Sequence, residues 1–380
     1  MALFALNLIL SGRFKFMEDY FGGLNKMYVL HHLTGATAFV FLLFHPLFLA
    51  GHYILFSLRQ AALFLLPSGH WPINFGIAAL AIMIILLILT FYTNLHYPVW
   101  KTSHRFLGLA FFFGGLHAFF IGSDIASNLP LKIYMVILTI LGLVTFIYRS
   151  VFHKILVKKF NYQLEQVIPL GEKVVEITLK PQGKTIQFEA GQFIFVEFLQ
   201  KGFTESHPFS ISSSSTDQTN LKLTIKALGD YTSKLAILKI GTKVKIEGPF
   251  GRFSYKNCHN KNQIWIAGGI GITPFLSMAP TINDQYKIDL YCCFKTSAEN
   301  FLLNKLQKIA TQNNQLRIIS WPSNKKGRLK AEVIAEMSQG LNNKDIFICG
   351  PPAMLKSLKK QFIKLKIPKK LIHSEEFTLL

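Results

Sequence analysis

Two apolar stretches of this sequence each carry a pair of histidines, which bind metals well and are costly to leave unpartnered in an apolar setting. The first stretch, LHHLTGATAFVFLLFHP, has His31 or His32 near its start and His45 near its end. The second, SHRFLGLAFFFGGLHAFF, contains His104 and His117. Paired histidines on two membrane-length segments predict two bis-histidine haems stacked across a bilayer. Histidines that only form hydrogen bonds between helices are the alternative.

Helix geometry supports the first pair more directly than the second. The fourteen residues from His31 to His45 rise about 21 Å, enough for two stacked macrocycles, and end within about 40° of the starting face. From His104 to His117 there are thirteen residues, which puts the rings on different faces of a regular helix. We expect a local distortion at Gly114-Gly115 to correct this.

The inner ligand of the first stretch is either His31 or His32. His31 stands four residues before Gly35, just as His104 stands four residues before Gly108. This shared register favours His31 and leaves His32 as the alternative.

Four apolar runs approach the roughly 20 residues that a helix needs to cross a bilayer. They cover residues 28–51, 75–95, 102–122 and 131–152. The apolar residues 1–11 are too few to cross and lack the basic flank and cleavage site of a signal peptide. We expect them to be the end of a helix whose beginning is missing from this chain.

Basic residues in the short loops predict the orientation. One side has mainly Arg59 and Lys132, while the other side has more, namely Arg13, Lys15, Lys26, Lys101, Arg105, Lys154, Lys158 and Lys159. The positive-inside rule puts that second side, with the C-terminal part of the chain, in the cytosol. His31 and His104 then lie toward the cytosolic face, and His45 and His117 toward the outer face.

Charge divides the chain near Phe152. Only 11 of the 61 charged residues (41 basic plus 20 acidic) lie up to this point, which predicts a membrane domain over 1–153 and a soluble part after it. A net charge of +21 without an aromatic-interleaved basic patch does not favour nucleic-acid binding. A basic cytosolic domain that faces an anionic leaflet and binds a phosphorylated dinucleotide fits better. The four cysteines lack metal-ligand spacing, so we expect reduced thiols and no disulfides.

The soluble part shows two successive patterns. Short alternating strands such as VVEITLK, QFIFVEF and KVKIEG predict an antiparallel β-barrel over 154–256. Buried-strand runs such as QIWIAGG and KDIFICG, which alternate with helical stretches, predict an α/β domain with a parallel sheet over 257–380. The predicted fold class is therefore a transmembrane helical bundle followed by these two domains.

Several motifs in the soluble part suit nucleotide binding. In KALGDYTS, Gly229 frees backbone N–H groups before a helix start, which suits a pyrophosphate. In AGGIGITP, glycines let the backbone approach phosphates, Thr273 can cap a helix and Pro274 suits its first position. CGPPA is a second strand-to-helix turn, and ligands of such sheets bind where these turns lie.

The motifs HPFSIS, GDYTSKL, GPFGRFS, AGGIGITPFLS, CGPPAML and a closing EEF resemble the ferredoxin–NADP reductase module, in order and at familiar intervals. Joined to a paired-histidine membrane domain, they resemble the ferric reductase/NADPH oxidase superfamily in a compact bacterial form. That family's spacing, fourteen residues on the first haem helix and thirteen on the second, implies His31 with His45 and His104 with His117 as ligands. The family typically has six spans, more than the four predicted here.

The resemblance also implies a role for each matching position in the soluble part. His207, Pro208, Phe209, Ser210 and Ser212 would line the flavin, with Ser210 near its reactive N5. Gly229, Tyr231, Thr232 and Ser233 would hold the FAD pyrophosphate. Gly268, Gly269, Gly271, Thr273 and Pro274 would seat the nicotinamide dinucleotide. Cys349, Gly350 and Pro351 would contact the nicotinamide, Phe377 would stack on the flavin, and Lys295 would meet a 2′-phosphate.

The function implied by the resemblance is transmembrane electron transfer. Electrons would pass from cytosolic NAD(P)H through FAD and two b-type haems to oxygen, giving superoxide, or to a ferric chelate. The chain would be a multi-pass protein of the bacterial inner membrane without an obligatory protein partner. Lys295 favours NADPH, with NADH as the alternative. A haem-free or quinone-linked flavin reductase anchored in the membrane is the competing hypothesis.

Overall fold

The chain forms two compact units, residues 1–157 and residues 158–380. A computed structural model describes residues 1–93, 95, 97–122, 124–171, 173–217, 219–295 and 301–376. The first unit is helical and the second contains two β-sheets, so the predicted fold class is confirmed.

The helical unit is built mainly from apolar helices. They are α1 (Ala2–Leu10), α2 (Lys15–Phe21), α3 (Leu24–Ile54), α4 (Leu58–Phe64), α5 (Trp71–Tyr92), α6 (Tyr97–Arg105), α7 (Leu107–Phe120), α8 (Asp124–Ser127), α9 (Leu129–Phe146) and α10 (His153–Leu156). Within the described residues, the helices long and apolar enough to cross a membrane are Leu24–Ile54, Trp71–Tyr92 and Leu129–Val151.

The predicted span over 102–122 is not one continuous helix. Its hydrogen bonds from Phe106 N to Ser103 O (3.0 Å) and from Leu109 N to Phe106 O (2.9 Å) close over three residues, and α6 ends and α7 begins around Phe106. Such tight bonds turn the chain further per residue than an α-helix does. The distortion expected at Gly114-Gly115 therefore lies at Phe106, still between His104 and His117.

The first helix packs inside the helical unit. Ala5 and Leu10 on α1 are fully buried, and an added Cβ on Gly142 of α9 would lie 3.3 Å from Ala5 Cα. The absence of a side chain at Gly142 favours this close approach, because even a methyl group there would be in tight contact with α1. Large apolar side chains such as Phe48 (75% exposed) and Ile140 (54% exposed) face outward, as expected of helices that contact lipid.

The second unit begins with an antiparallel barrel. Its strands are β1 (Phe160–Gly171), β2 (Val174–Pro181), β3 (Phe193–Phe198), β4 (His207–Ser210), β5 (Leu221–Lys226) and β6 (Lys243–Phe250), in the order β4-β3-β6-β1-β2-β5. A single antiparallel bridge between Ile211 and Leu223 joins the two edges of this sheet. The side chains of Ile211 and Leu223 are fully buried in the barrel core. Alternating apolar residues thus form the predicted barrel.

A parallel α/β domain completes the second unit. It consists of β7 (Asn262–Gly268), α11 (Thr273–Met278), β8 (Lys287–Phe294), α12 (Phe301–Thr311), β9 (Leu316–Pro322), α13 (Ser323–Lys326), α14 (Ala331–Met337), β10 (Asp345–Cys349), α15 (Pro352–Lys364) and β11 (Ile372–Glu375). The strand order is β11-β10-β7-β8-β9. Trp265 and Phe347 are buried on one face of this sheet, and Tyr291 and Phe362 on the other. Because both faces of the sheet are buried, the sequences of its strands are continuous apolar runs.

Candidate functional site

The helical unit brings the four predicted histidines together as two facing pairs. The ring centroids of His31 on α3 and His104 on α6 are 6.2 Å apart, with the ring planes at 62°. Those of His45 on α3 and His117 on α7 are 6.3 Å apart, at 72°. The fourteen residues from His31 to His45 and the thirteen from His104 to His117, which include the tight turn at Phe106, thus bring the rings to the same two depths.

The ring separations fit one metal ion between each pair. Imidazole–metal bonds of about 2 Å on each side would put the two ligating nitrogens about 4 Å apart. The ring centroids lie further out by a ring radius on each side, which gives a separation close to that found for His31 with His104 and His45 with His117. The residues present therefore suit axial ligation of a planar macrocycle.

Backbone carbonyls orient two of these rings. His31 Nδ1 lies 3.0 Å from Asn7 O on α1, and His117 Nδ1 lies 2.8 Å from Pro72 O on α5. A proton on Nδ1 that is donated to a carbonyl leaves Nε2 unprotonated, which is the tautomer a metal needs. Sequence reasoning missed Asn7 and Pro72, because a carbonyl acceptor is present at every residue and leaves no signature in the sequence.

Close packing shapes the space around the rings of His117 and His104. An added Cβ on Gly76 would lie 2.7 Å from His117 Nδ1, so Gly76 leaves room for that imidazole. The ring of Trp100 stacks on His104 with centroids 5.2 Å apart and planes at 16°. His104 Nδ1 is buried without a hydrogen-bond partner in the part of the chain that the structure describes.

The two candidates for the inner ligand on α3 differ in direction. The His31 ring faces His104. His32 is exposed, and its Nδ1 lies 2.8 Å from Tyr28 O, one turn earlier on the same helix. The packing therefore favours His31, as the shared register with Gly35 and Gly108 does.

In the barrel, His207, the first of the predicted flavin-lining residues on β4, lies against Tyr231. The rings of His207 and Tyr231 are 3.8 Å apart and tilted by 30°. Tyr231 donates its hydroxyl to Phe203 O at 3.2 Å. Burial, and secondarily the charge of Glu205, raise the pKa of Tyr231 well above its ordinary value, so the phenol stays protonated.

The hydroxyl of Ser210 is a buried polar group without a partner in the described part of the barrel. Ser210 is 7% exposed, and within the described residues its Oγ is buried without a hydrogen bond. Such a hydroxyl is costly to leave unpaired, and a bound ligand with an acceptor or donor would satisfy it. Ser212, two residues on, already accepts from Thr224 Oγ1 at 3.0 Å.

The predicted pyrophosphate turn differs from expectation. Thr232 Oγ1 accepts from Leu228 N (2.9 Å) and Gly229 N (3.1 Å), so the N–H of Gly229 is not free. Ser233 donates its hydroxyl to Gly229 O at 2.8 Å. The helix that follows is a short 3₁₀ segment, Thr232–Ile237. A phosphate at this turn would have to exchange with the hydroxyl of Thr232.

In the α/β domain, the two predicted coenzyme turns touch through their backbones. An added Cβ on Gly271 would lie 2.2 Å from Cys349 O, and one on Gly350 would lie 3.0 Å from Gly268 Cα. Both turns follow the carboxyl ends of neighbouring parallel strands, β7 and β10, where ligands of such sheets bind. Gly269 adopts φ 54°, a conformation that suits glycine.

The other predicted residues of this domain lie around the same edge. Thr273 and Pro274 begin α11 and are buried, and Thr273 donates its hydroxyl to Ile270 O at 3.0 Å. Cys349 ends β10 and pairs in register with Glu375 of β11. Burial, and then the charge of Glu375, raise the pKa of the Cys349 thiol well above its ordinary value. Its thiol is therefore neutral at physiological pH.

The remaining predicted positions lie at the margins of the domain. Pro208 and Phe209 are half-buried on β4, and Pro351 is exposed just before α15. Lys295 is exposed directly after β8. Phe377 lies outside the described residues.

Comparison with known proteins assigns a family description to each part. Residues 1–115 match a ferric reductase-like transmembrane component, 159–254 an FAD-binding domain and 265–360 an oxidoreductase NAD-binding domain. In this order the three matched parts are similar to those of the ferric reductase/NADPH oxidase superfamily. The resemblance predicted from the motifs is confirmed.

Individual relatives match parts of this chain. NADPH oxidase 1 of Rattus norvegicus is 28% identical over 244 residues, half of this chain and 42% of the relative. The carnitine monooxygenase reductase subunit of Escherichia coli is 28% identical over 229 residues, 58% of this chain and 69% of the relative. The chain thus spans less than half the length of the NADPH oxidase that it matches.

Solved structures show the same fold at low identity. Flavohemoglobin of Malassezia yamatoensis covers 87% of this chain and 94% of its own, with a TM-score of 0.54 and 18% identity. A ferredoxin NADP⁺ reductase of Neisseria gonorrhoeae covers 58% of this chain and 99% of its own, with a TM-score of 0.50 and 16% identity.

Proposed function

We propose that this protein carries electrons across a membrane, from NAD(P)H through FAD and two b-type haems to an acceptor on the other side. The observation that carries this proposal is that two pairs of imidazoles face each other at two depths along α3. The ring centroids are 6.2 Å apart in one pair and 6.3 Å apart in the other. An anchor for a flavin reductase has no need of two such pairs. The FAD-binding and NAD-binding domain matches supply the other half of the route.

The helical unit would hold the haems through Nε2 of each histidine. His31 and His104 would ligate one haem, and His45 and His117 the other. A haem bound there would supply one-electron chemistry, and ligation by two histidines would favour electron transfer over direct oxygen binding. Asn7 and Pro72 fix the orientation of His31 and His117 through their carbonyl oxygens.

The barrel residues would hold the isoalloxazine ring. The buried Ser210 hydroxyl is available to bond the flavin near N5, while the ring of His207 on β4 packs against that of Tyr231. A flavin takes a hydride and releases electrons one at a time, which couples nicotinamide to haem chemistry. Gly229, Thr232 and Ser233 would contact the pyrophosphate.

The α/β domain would seat the dinucleotide between its two turns. Gly268, Gly269 and Gly271 keep side chains away from one face, and Cys349, Gly350 and Pro351 form the other. Because the Cys349 thiol is neutral, it would donate a weak hydrogen bond rather than act as a nucleophile. Lys295 favours NADPH, since it follows β8 on the side where a 2′-phosphate would lie.

The topology follows the basic loops. The positive-inside rule places the FAD and NAD(P) domains in the cytosol of a bacterial inner membrane. The acceptor would then be reduced at the outer face, near His45 and His117. Oxygen and ferric chelates are the two acceptors that the family resemblance implies.

The deciding experiment is a spectrum of the purified full-length chain. We expect a dithionite-reduced absorption typical of low-spin b-type haem, two haems per chain, and reduction of that haem by NADPH under anaerobic conditions. Admission of oxygen or of a ferric chelate, in parallel samples with and without superoxide dismutase, identifies the acceptor. A chain that retains FAD and oxidises NADPH but contains no haem would instead be a membrane-anchored flavin reductase.

A further inference from the structure

Three metal-ligating side chains meet at the edge of the parallel sheet opposite the coenzyme turns. His373 Nε2 on β11 lies 2.6 Å from Asp345 Oδ1 on β10 and 3.3 Å from Cys258 Sγ, which follows a 3₁₀ segment before β7. The donor atoms of the three residues all lie within 4.8 Å of one another. Sequence reasoning missed this cluster, because its members are far apart in the chain.

The geometry of the cluster does not suit a catalytic Cys–His–Asp relay. In such a relay the two nitrogens of the imidazole face different partners, one the nucleophile and the other the carboxylate. Here the same nitrogen, Nε2, faces both Cys258 and Asp345. Burial, followed by the charge of Asp345, raises the pKa of Cys258 to about 12, so the thiol is not an activated nucleophile. The donor atoms converge on a point instead of forming a chain.

A second observation points to a cation at that point. Asp345 is 3% exposed, and its Oδ2 is buried without a hydrogen-bond partner among the described residues. A buried carboxylate oxygen without a partner is costly unless a proton or a metal ion satisfies it. The imidazole of His373 is held in place by stacking on Phe347, with centroids 4.6 Å apart, so it is pre-oriented toward the carboxylate.

We propose that Cys258, Asp345 and His373 form a site for a zinc-class divalent cation. Sulfur, nitrogen and oxygen donors together favour zinc or cobalt over magnesium or calcium, which prefer oxygen alone. In a tetrahedral zinc site neighbouring ligand atoms stand about 3.5 Å apart. The distances of 3.3 Å and 2.6 Å in the metal-free cluster need to open by less than about 1 Å.

The fourth position of the site would hold water. Cys258 and His373 are partly exposed, the His373 side chain to 30%, so the ion has an entry path and room for a solvent ligand. Binding converts the Cys258 thiol to a thiolate, and the displaced proton leaves to solvent. Three protein ligands and one water complete the coordination.

The bound ion would fasten the last strand of the domain. It links β11 to β10 and to the segment before β7, and β11 continues from His373 to Glu375. Glu375 Oε1 lies 3.2 Å from the position of an added Cβ on Gly251, at the end of the barrel. The site is therefore a structural clamp that acts at a distance from the coenzyme turns, which lie at the other edge of the sheet.

Cobalt titration of the full-length protein, after removal of metals with a chelator, tests the proposal. We expect one cobalt per chain, with the thiolate-to-cobalt charge-transfer absorption that reports a cysteine ligand. Cys258→Ser should abolish that absorption, and Asp345→Asn should weaken binding by about 10- to 100-fold. His259→Ala, which removes the exposed neighbouring imidazole, is the matched control and should bind as the unaltered protein does.

FAD content serves as the folding check for each variant. If Cys258→Ser loses FAD, the cobalt affinities of Asp345→Asn and of the unaltered protein are compared instead, since both proteins keep the thiol. The proposal is overturned if the unaltered protein binds no cobalt at micromolar concentrations, or if the charge-transfer absorption persists in folded Cys258→Ser. Haem content is measured alongside, so failure of the clamp and failure of the proposed electron route remain distinguishable.

Discussion

Gly76 on α5 lies directly against the ring of His117 on α7: an added Cβ would stand 2.7 Å from His117 Nδ1. The same ring is hydrogen-bonded to Pro72 O, one turn earlier on α5. This helix therefore both makes the space for the imidazole and orients it. The position of the His117 ring thus depends on a residue that carries no side chain at all.

Substitution of Gly76 tests this relationship. We expect Gly76→Val to displace the His117 ring and to remove one of the two haems, because a tilted imidazole cannot reach the iron opposite His45. The haem-to-protein ratio of the purified variant, measured as the pyridine haemochrome, gives the result. Gly51→Val on α3, where an added Cβ meets nothing within 4 Å, is the matched control. Equal haem content in both variants would contradict the assignment.

The choice between the adjacent histidines of α3 gives a second prediction. His31→Ala should remove the haem shared with His104, whereas His32→Ala should retain both haems, because the His32 ring bonds to its own helix and is exposed. Haem content and the reduced absorption spectrum of both variants decide this. Haem loss in His32→Ala with a normal spectrum in His31→Ala would reverse the assignment.

Substitution of Ser210 separates the contribution of its buried hydroxyl to protein stability from its contribution to flavin reduction. Ser210→Ala should leave the stability of the FAD-free protein unchanged or slightly raised, because an unpartnered buried hydroxyl contributes nothing when the site is empty. The rate at which NADPH reduces the bound flavin should fall about tenfold, because loss of one hydrogen bond of about 1.4 kcal/mol raises the barrier by that amount. Stopped-flow absorbance and thermal unfolding measure the two effects. A large loss of stability without a change in rate would show a structural role only.

Close backbone contact between the two coenzyme turns predicts a selective defect. In Gly271→Ala the methyl group would meet Cys349 O at 2.2 Å, so the turn after β7 must move away from β10. We expect a rise of about 10-fold or more in the KM for NADPH, with FAD content preserved because the barrel is untouched. Steady-state kinetics and the flavin-to-protein ratio measure this. Normal NADPH kinetics would show that the contact is not needed for coenzyme binding.

The raised pKa of Cys258 predicts how its labelling depends on pH. In metal-free protein the pKa of about 12 lowers the thiolate fraction at pH 8 by about 1000-fold relative to an ordinary thiol. Alkylation should be slow at pH 8 and should accelerate about tenfold per pH unit up to about pH 12. An unfolded chain loses this proton from about pH 9, so the contribution of the group to stability is full below pH 9 and declines as pH rises toward 12. Mass spectrometry of the Cys258 peptide follows the reaction, and rapid labelling at pH 8 would contradict the prediction.

Much of the architecture was predictable from the sequence, because it depends on local pattern. Apolar runs mark helices that lie in lipid, alternating residues mark the barrel, and continuous buried strands mark the parallel sheet. These patterns follow from periodicities of the backbone that each segment expresses by itself. The glycine turn at Gly268 to Gly271 and the turn at Gly350 were likewise visible, since only glycine permits such close backbone approach.

The helix break at Phe106 was not visible in the same way. Nothing in the residue types around Phe106 requires a tight turn. Gly114 and Gly115, shortly before His117, were the more obvious place for a distortion. Close packing accompanies the break: an added Cβ on Gly108 of α7 would lie 2.3 Å from the ring of Phe146 on α9. Tertiary contacts override local preference at such points.

Residue types and spacing by themselves determined that His31, His45, His104 and His117 are candidates for two sites, because histidines at matched intervals in apolar helices are a local signal. Only the tertiary structure decided which rings face each other, which carbonyls orient His31 and His117, and that Cys258, Asp345 and His373 meet at all. Those relationships join segments that are distant in the chain. They depend on side-chain directions and helix packing, which no periodicity in a single segment specifies.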